Sequence, residues 1–230
     1  MMKIGQSAGK SYAYILGVYL GDGCVTNSGD GYPLFRLNTI DEDFALAVKK
    51  ALNDLVDNPV SISCHAVKKS SKPNWALCCC STELSRHLVD VTDGKKKIPD
   101  VISRWDRGMK ISFIEGLMDS EGYVASDNRF ETARRFFMGF KSCDVWFYDF
   151  VALLDEVGIA HGKVTEEKPR KEGYKIPRRI YIKIQSFYDS GARFNIARKQ
   201  NRVNEFVDNP AYTQRKIGRR LPSETTRRSA

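Results

Sequence analysis

The chain has 230 residues, 42% hydrophobic and 28% charged, the balance of an ordinary globular protein rather than of a disordered or fibrous one. Its 37 lysines and arginines outnumber 28 acids, and the net charge of +9 raises the prospect of a polyanionic partner. No apolar run approaches the roughly 18 residues of a membrane span, and the opening MMKIGQSAGK lacks the apolar core of a secretory signal, so a soluble, intracellular protein with no membrane partner is expected.

The first predicted element is an apolar helix over YILGVYLGDG, Tyr14 to Gly23. The same phrase returns as FIEGLMDSEG, Phe113 to Gly122, and the acids Asp22 and Glu121 stand 99 positions apart. Gly17 and Gly21 share one helix face, as do Gly116 and Ser120, a spacing that lets two helix backbones approach closely. Glycines inside a helix cost about 1 kcal/mol each relative to alanine, and a close helix–helix contact explains why that cost is accepted. Gly23 and Gly122 are expected to take the left-handed conformation that terminates a helix. Asp22 and Glu121 then sit at the negative ends of two helix dipoles and, in a parallel pair, face each other. Divalent cations relieve such repulsion, and oxygen donors of this kind suit Mg²⁺.

After each motif comes a helix with i, i+3, i+4 spacing: Phe44, Ala47, Val48, Ala51, Leu52 and Leu55, then Phe147, Phe150, Val151, Leu154 and Val157. Asp41 and Asp144 precede them at equal distance and suit a helix start. VSISCHAV alternates like a half-buried strand, with Ser61, Ser63 and His65 facing away from Val60, Ile62 and Cys64. The basic turn KKSSKPN leads to a second strand, WALCCCS. In the later copy GKVTEE, the turn KPRKEGYKIPRR and the strand IYIKIQ take the same places. The six cysteines include no C-x-x-C pair, so they read as reduced thiols rather than a zinc site or a disulfide framework. The chain therefore divides into a first repeat (1–92), a linker (93–108), a second repeat (109–212) and a basic tail (213–230).

The paired motifs resemble those of the single-chain, two-repeat LAGLIDADG homing endonucleases. Ile15 to Gly23 reads I-L-G-V-Y-L-G-D-G and Ile114 to Gly122 reads I-E-G-L-M-D-S-E-G, with Leu20 departing from the family's aspartate at the sixth place, usually a packing or capping position. The resemblance implies an α+β fold of two pseudo-symmetric αββαββα halves, the motif helices at the centre and two antiparallel sheets forming a DNA-binding saddle. It implies a monomer that hydrolyses both strands of a long, non-palindromic DNA site and leaves 3′ overhangs. Asp22 and Glu121 would bind catalytic Mg²⁺, helped by the carbonyls of Gly21 and Ser120. Mn²⁺ is expected to substitute, and Ca²⁺ to bind without supporting cleavage.

The resemblance also implies polar or basic helpers on the sheet floor near the metals, for which the candidates by strand position are Asn38 and Lys141, which correspond at the offset of 103 that aligns Phe44 with Phe147, and Lys183 and Gln185 on the later strand. Lys141 and Lys183 read equally well as solvent-facing strand residues or phosphate contacts. DNA-facing candidates on the strands are Arg36, Ser61, Ser63, His65, Arg135, Lys163, Thr165, Arg179, Tyr181 and Lys183. In the turns, Lys68, Lys69, Lys72, Lys168, Arg170, Lys171, Lys175 and Arg178 are expected to reach phosphates. Three other readings stay open on sequence grounds: an intron RNA maturase, a non-catalytic DNA-binding regulator on the same fold, and an unrelated basic RNA-binding protein. The last leaves the repeated Gly-acid-Gly endings unexplained.

Overall fold

The computed structural model describes residues 6–66, 73–127, 134–169 and 173–214. The first half runs α1 (Gln6–Leu20), β1 (Cys24–Asn27), β2 (Pro33–Thr39), α2 (Glu42–Leu55), β3 (Val60–His65), β4 (Asn74–Cys79) and α3 (Thr82–Val91). A 3-10 turn, Asp100–Arg104, leads into the second half. That half runs α4 (Arg107–Ser120), β5 (Gly122–Asp127), β6 (Arg135–Ser142), α5 (Phe147–Glu156), β7 (Thr165–Glu166), β8 (Arg178–Tyr181), α6 (Ile184–Asp189), α7 (Ala197–Val207) and β9 (Thr213–Gln214). The sheets have matching orders, β1-β2-β4-β3 and β5-β6-β8-β7, and every pairing in those two orders is antiparallel. The fold is thus two pseudo-symmetric αββαββα units, as expected. No helix among the described residues is long and apolar enough to cross a membrane.

The motif helices α1 and α4 form the central seam. A Cβ added at Gly17 would lie 2.3 Å from the carbonyl oxygen of Phe113, and one at Gly116 would lie 2.2 Å from that of Tyr14. These contacts are reciprocal, because each partner carbonyl lies three residues before the opposite glycine. Backbone packs on backbone here, so no side chain fits without parting the helices. At Gly21 an added Cβ would meet the Cβ of Ser120 at 2.3 Å, which carries the close approach to the ends of both helices.

Each sheet turns one face to helices. Phe44, Val48, Leu52 and Leu55 of α2 are buried, as are Phe147, Phe150 and Leu154 of α5, on the side that the periodicity indicated. Among the residues expected to face inward on β3, Val60 is buried, Ile62 intermediate and Cys64 exposed, because the strand leaves the core toward its tip.

Several local expectations are corrected. Gly23 and Gly122 are not among the residues with positive φ. Their lack of a side chain serves close contact instead: an added Cβ would lie 2.8 Å from the Phe35 ring and 2.5 Å from the Met118 carbonyl oxygen, respectively. Asp41 stands at the N-cap of α2 without a side-chain cap bond, and Asp144 lies before Trp146, which holds the N-cap of α5. IYIKIQ is not one strand. β8 ends at Tyr181, Ile182 bridges to His161, and α6 begins at Ile184, so Ile180, Ile182 and Ile184 are all buried although the backbone changes type between them. Thr213 and Gln214, placed at the start of the tail, extend the second sheet as β9. Residues 215–230 lie outside the described residues.

Candidate active site

Glu121 follows directly on the last residue of α4, Asp22 lies two residues beyond the end of α1, and the close approach at the seam brings them together. Burial raises the Glu121 carboxyl to about 7, helped by the negative charges of Asp22 and Asp144. The Asp22 carboxyl is also raised, first by the protein atoms crowded around it, although its side chain still reaches solvent. Lys199 and Lys95 oppose that shift.

Those two lysines were not singled out in the sequence. Lys95 lies in the linker, at the end of three successive left-handed residues: Asp93 (φ 47°), Gly94 (φ 62°) and Lys95 (φ 72°). Left-handed backbone is strained for non-glycine residues and persists only where its surroundings enforce it. Here buried Thr92 does so: its hydroxyl oxygen accepts from the Lys95 amide at 3.1 Å, and its carbonyl accepts from the Lys96 amide at 2.9 Å. The turn delivers Lys95 Nζ to the Gly21 carbonyl oxygen, 2.9 Å away, and 5.3 Å from the centre of the Tyr19 ring. Lys199, on α7, is 4% exposed and donates to the carbonyls of Met118 (3.1 Å) and Asp119 (2.6 Å). Burial lowers its pKa to about 8. Each motif helix therefore ends on a lysine ammonium, a favourable partner for the negative end of the dipole.

The sixth motif position explains how α7 is held. Asp119 is 1% exposed and accepts from Tyr14 Oη (2.9 Å), the Asn195 amide (3.0 Å), Asn195 Nδ2 (2.9 Å) and the Ile196 amide (3.4 Å). At the equivalent place Leu20 is simply buried. α7 also reaches the first half, where Arg198 grips Asp41 through Nε (2.7 Å) and Nη2 (2.8 Å).

A cavity lies beside each motif acid. One of about 310 Å³ is lined by Asp22, Asn38, Thr39, Asp41, Ser120 and Lys199, among others. The other, of about 640 Å³, is lined by Glu121, Tyr123, Lys141, Ser142, Cys143, Asp144 and Arg179. Asn38, Thr39 and Asp41 of the first match Lys141, Ser142 and Asp144 of the second at the offset of 103. Asn38 and Lys141 thus each share a cavity with a motif acid. Lys183 and Gln185 do not join them: Lys183 is the N-cap of α6 and Gln185 lies on α6, bonded to Asp189 at 2.8 Å.

Cross-strand register puts Arg36, Ser61 and Cys24 in one row with Cys78, and Asn38 and Ser63 in another with Ala76. Ser61 donates to the Cys78 carbonyl (3.3 Å), and Ser63 Oγ lies 2.9 Å from His65 Nε2. In the second sheet Lys141, Arg179 and Thr165 form one row, Tyr123, Gly139 and Tyr181 another, and Arg135 pairs with Asp127. Lys163, Lys168 and Lys175 are exposed. Arg178 differs: it shares the helix-side face with Ser142, lies 5.2 Å from the Tyr148 ring and pairs with Glu166 at 3.4 Å. Alternation turns it away from the face that carries Arg179. Lys68, Lys69, Lys72, Arg170 and Lys171 lie outside the described residues.

Over 84% of its length the chain superposes on 86% of the homing endonuclease I-WcaI, solved bound to its DNA recognition sequence, with a TM-score of 0.55 at 10% identity. The chain has a two-repeat LAGLIDADG fold. It is also similar to the N-terminal LAGLIDADG domain of WhiA (TM-score 0.47, 15% identity, 80% of this chain and 79% of that one). An uncharacterized protein of Methanocaldococcus jannaschii is 26% identical over 212 residues, 91% of this chain and 69% of that one. No protein-family model matches the sequence.

Among the described residues no three His, Cys, Asp or Glu side chains converge as a metal cage. The donor set nevertheless fits a hard divalent cation. It offers two carboxylates, one of them raised to about 7 by enclosure and by like charge, a penalty that a cation removes. Two carboxylates are the number of protein donors that Mg²⁺ commonly takes.

Proposed function

We propose that this LAGLIDADG-fold chain is a site-specific endonuclease of double-stranded DNA. The observation that carries the reading is the meeting of Asp22 and Glu121 at a seam closed by Gly17 and Gly116, with a lysine at each helix end. Both carboxylates face a charge penalty where they stand, an arrangement that favours cation binding over stability. The fold likeness to I-WcaI, itself solved on DNA, agrees with a duplex lying across the two sheets.

Asp22 and Glu121 would hold Mg²⁺, with the Ser120 carbonyl as a further oxygen; the ion would supply activation of water and stabilisation of negative charge at phosphorus. The Gly21 carbonyl already takes the Lys95 ammonium, so its part in metal binding requires that lysine to move. Lys199 Nζ, with its pKa brought down to about 8, can give up and regain a proton near neutral pH. Lys95 Nζ, held at the end of α1, places positive charge where a phosphodiester between the two acids gathers negative charge. Arg36, Arg135 and Arg179 on the outer faces would position the duplex. The two faces differ in side chains, so the two half-sites should differ and the target should not be a strict palindrome. The protein is proposed to act as a monomer, because the chain itself supplies both halves.

The lysine already on the Gly21 carbonyl favours a second reading, nucleic-acid binding without cleavage, with duplex DNA or intron RNA as ligand. A cleavage selection separates the two. The protein binds a randomised duplex library in Ca²⁺, is washed, and is switched to Mg²⁺ beside the Asp22→Asn, Glu121→Gln double variant. Discrete Mg²⁺-dependent cuts with 3′ overhangs, lost at least 100-fold in the variant while DNA retention persists, are expected. Retention without cuts in the wild type would refute the nuclease and leave the binding reading.

A further inference from the structure

We infer that Glu167 is a built-in stand-in for a DNA phosphate, clamping Lys141 and Arg179 until nucleic acid displaces it; this rests on the duplex-binding reading above. Glu167 follows directly on β7 and spends one carboxylate oxygen on each cation. Oε2 takes Lys141 Nζ at 2.6 Å, and Oε1 takes Arg179 Nη2. Two oxygens on one centre, shared between an ammonium and a guanidinium, is the geometry of the two non-bridging oxygens of a phosphodiester.

The position is also the right one. Lys141 and Arg179 are cross-strand neighbours on the outer face of the second sheet, and both line the cavity that holds Glu121. Arg179 is placed by its neighbours, its Nη1 donating to Tyr181 Oη at 3.3 Å. Its Nε is buried without a hydrogen-bond partner, so the guanidinium keeps unused donor capacity in the clamped state. The Glu167 side chain is only 29% exposed, held at the sheet by its amide, which donates to the Pro177 carbonyl at 2.8 Å.

The first sheet supplies an internal control. Its equivalent row is Asn38, Ala76 and Ser63, all uncharged, and the place equivalent to Glu167 is held by His65. The acid occurs where the two cations occur. A counter-ion of any kind follows its cations; what marks a phosphate surrogate is that it divides its two oxygens between both of them on the outer face beside Glu121. It keeps two cations apart from each other's charge and from stray anions, and it yields only to a ligand that satisfies both at once.

The test compares the full chain with its Glu167→Gln variant, using fluorescence anisotropy on a labelled duplex of mixed sequence in Ca²⁺ across a KCl series. Glu167→Gln should bind about three- to tenfold tighter, the span of two partly exposed ion pairs. The slope of log K against log[KCl] should steepen by up to about one, the contribution of one neutralised phosphate. In a Lys141→Met, Arg179→Met background, with both clamped cations gone, Glu167→Gln should give no gain. Wild-type binding that Glu167→Gln leaves unchanged or weakens would overturn the inference while leaving duplex binding intact. A gain that survives loss of both cations would also overturn it, because the effect would then be bulk charge. Failure of both proteins to bind any duplex would bring down the DNA reading, and this inference with it.

Discussion

The two sheets share strand order and register yet present different chemistry at the same place, uncharged in one and basic in the other. The row beside Asp22 is Asn38, Ala76 and Ser63; the row beside Glu121 is Lys141, Arg179 and Thr165. Symmetry is kept where backbones touch and dropped where side chains face outward. The seam tolerates one geometry, and any deviation in one helix must be answered in the other. The outer faces carry no such constraint, so each half is free to diverge there. Pseudo-symmetry in this fold is therefore a property of packing and not of the outer faces.

The seam offers the hardest test of that contrast. Gly17→Ala and Gly116→Ala should each destabilise the chain by about 3–5 kcal/mol, because the new methyl meets fixed backbone. The two losses should agree within about 1 kcal/mol if the halves are equivalent there. Gly9→Ala is the control: its nearest neighbour is the Met109 sulfur at 3.3 Å, a flexible chain end. Helix propensity should make that change neutral or stabilising by up to about 1 kcal/mol in urea denaturation.

Asp119 and Leu20 sharpen the comparison at one motif position. Asp119→Leu copies the first half into the second, and leaves the Tyr14 hydroxyl and the amides of Asn195 and Ile196 without their acceptor. A loss of about 2–4 kcal/mol is expected. A near-neutral result would mean that α7 is held by its other contacts alone.

Glu115 gives a pH-dependent difference. Burial raises its carboxyl to about 7 in the fold from an ordinary value of 4.5, and the Arg193 amide that it accepts at 2.9 Å only partly opposes this. Between those values the native state binds more protons than the unfolded state. This group's contribution to stability is therefore complete at low pH and falls as pH rises toward and through 7. Glu115→Gln keeps an acceptor for that amide and removes the ionisation. From pH 5 to pH 8 the variant should lose less stability than the wild type, by at most about 3 kcal/mol on the urea midpoint. Parallel curves would show that Glu115 does not titrate in this range.

The smallest effect is expected at Arg198. Its paired bonds to Asp41 tie α7 to the first half, but the arginine side chain is half exposed, so Arg198→Ala should cost only about 1 kcal/mol in the same assay.

Much of this architecture was legible in the sequence because it repeats. One glycine-acid phrase and one helical period, found twice, located the seam, both acids and the pairing of Asn38 with Lys141. What stayed hidden depends on the backbone changing type without a change in pattern. Ile180, Ile182 and Ile184 alternate as in a strand, yet Ile184 and Phe187 already bury a helical face. Lys95 sits in GKKK, a stretch that reads as solvated, and its reach to Gly21 depends on a left-handed turn held by Thr92. The Asp-Gly pair before it was the available signal for that turn. Lys199 is buried beside Val203, four residues on, a helical pairing that nothing in a run as polar as ARKQNR advertises. Asp119 was visible as an acid in an apolar helix, but only Asn195 and Ile196 reveal its use.

The linker has a consequence of its own. The positive charge at the end of α1 rides on the peptide that joins the halves, whereas its counterpart at the end of α4 comes from a helix with no equivalent in the first half. The covalent join is thus a working part, not a tether left by duplication. Two separate copies of one half, however well their glycines met, would carry neither segment in the same relation, so splitting the chain at the linker divides the charge arrangement as well as the molecule.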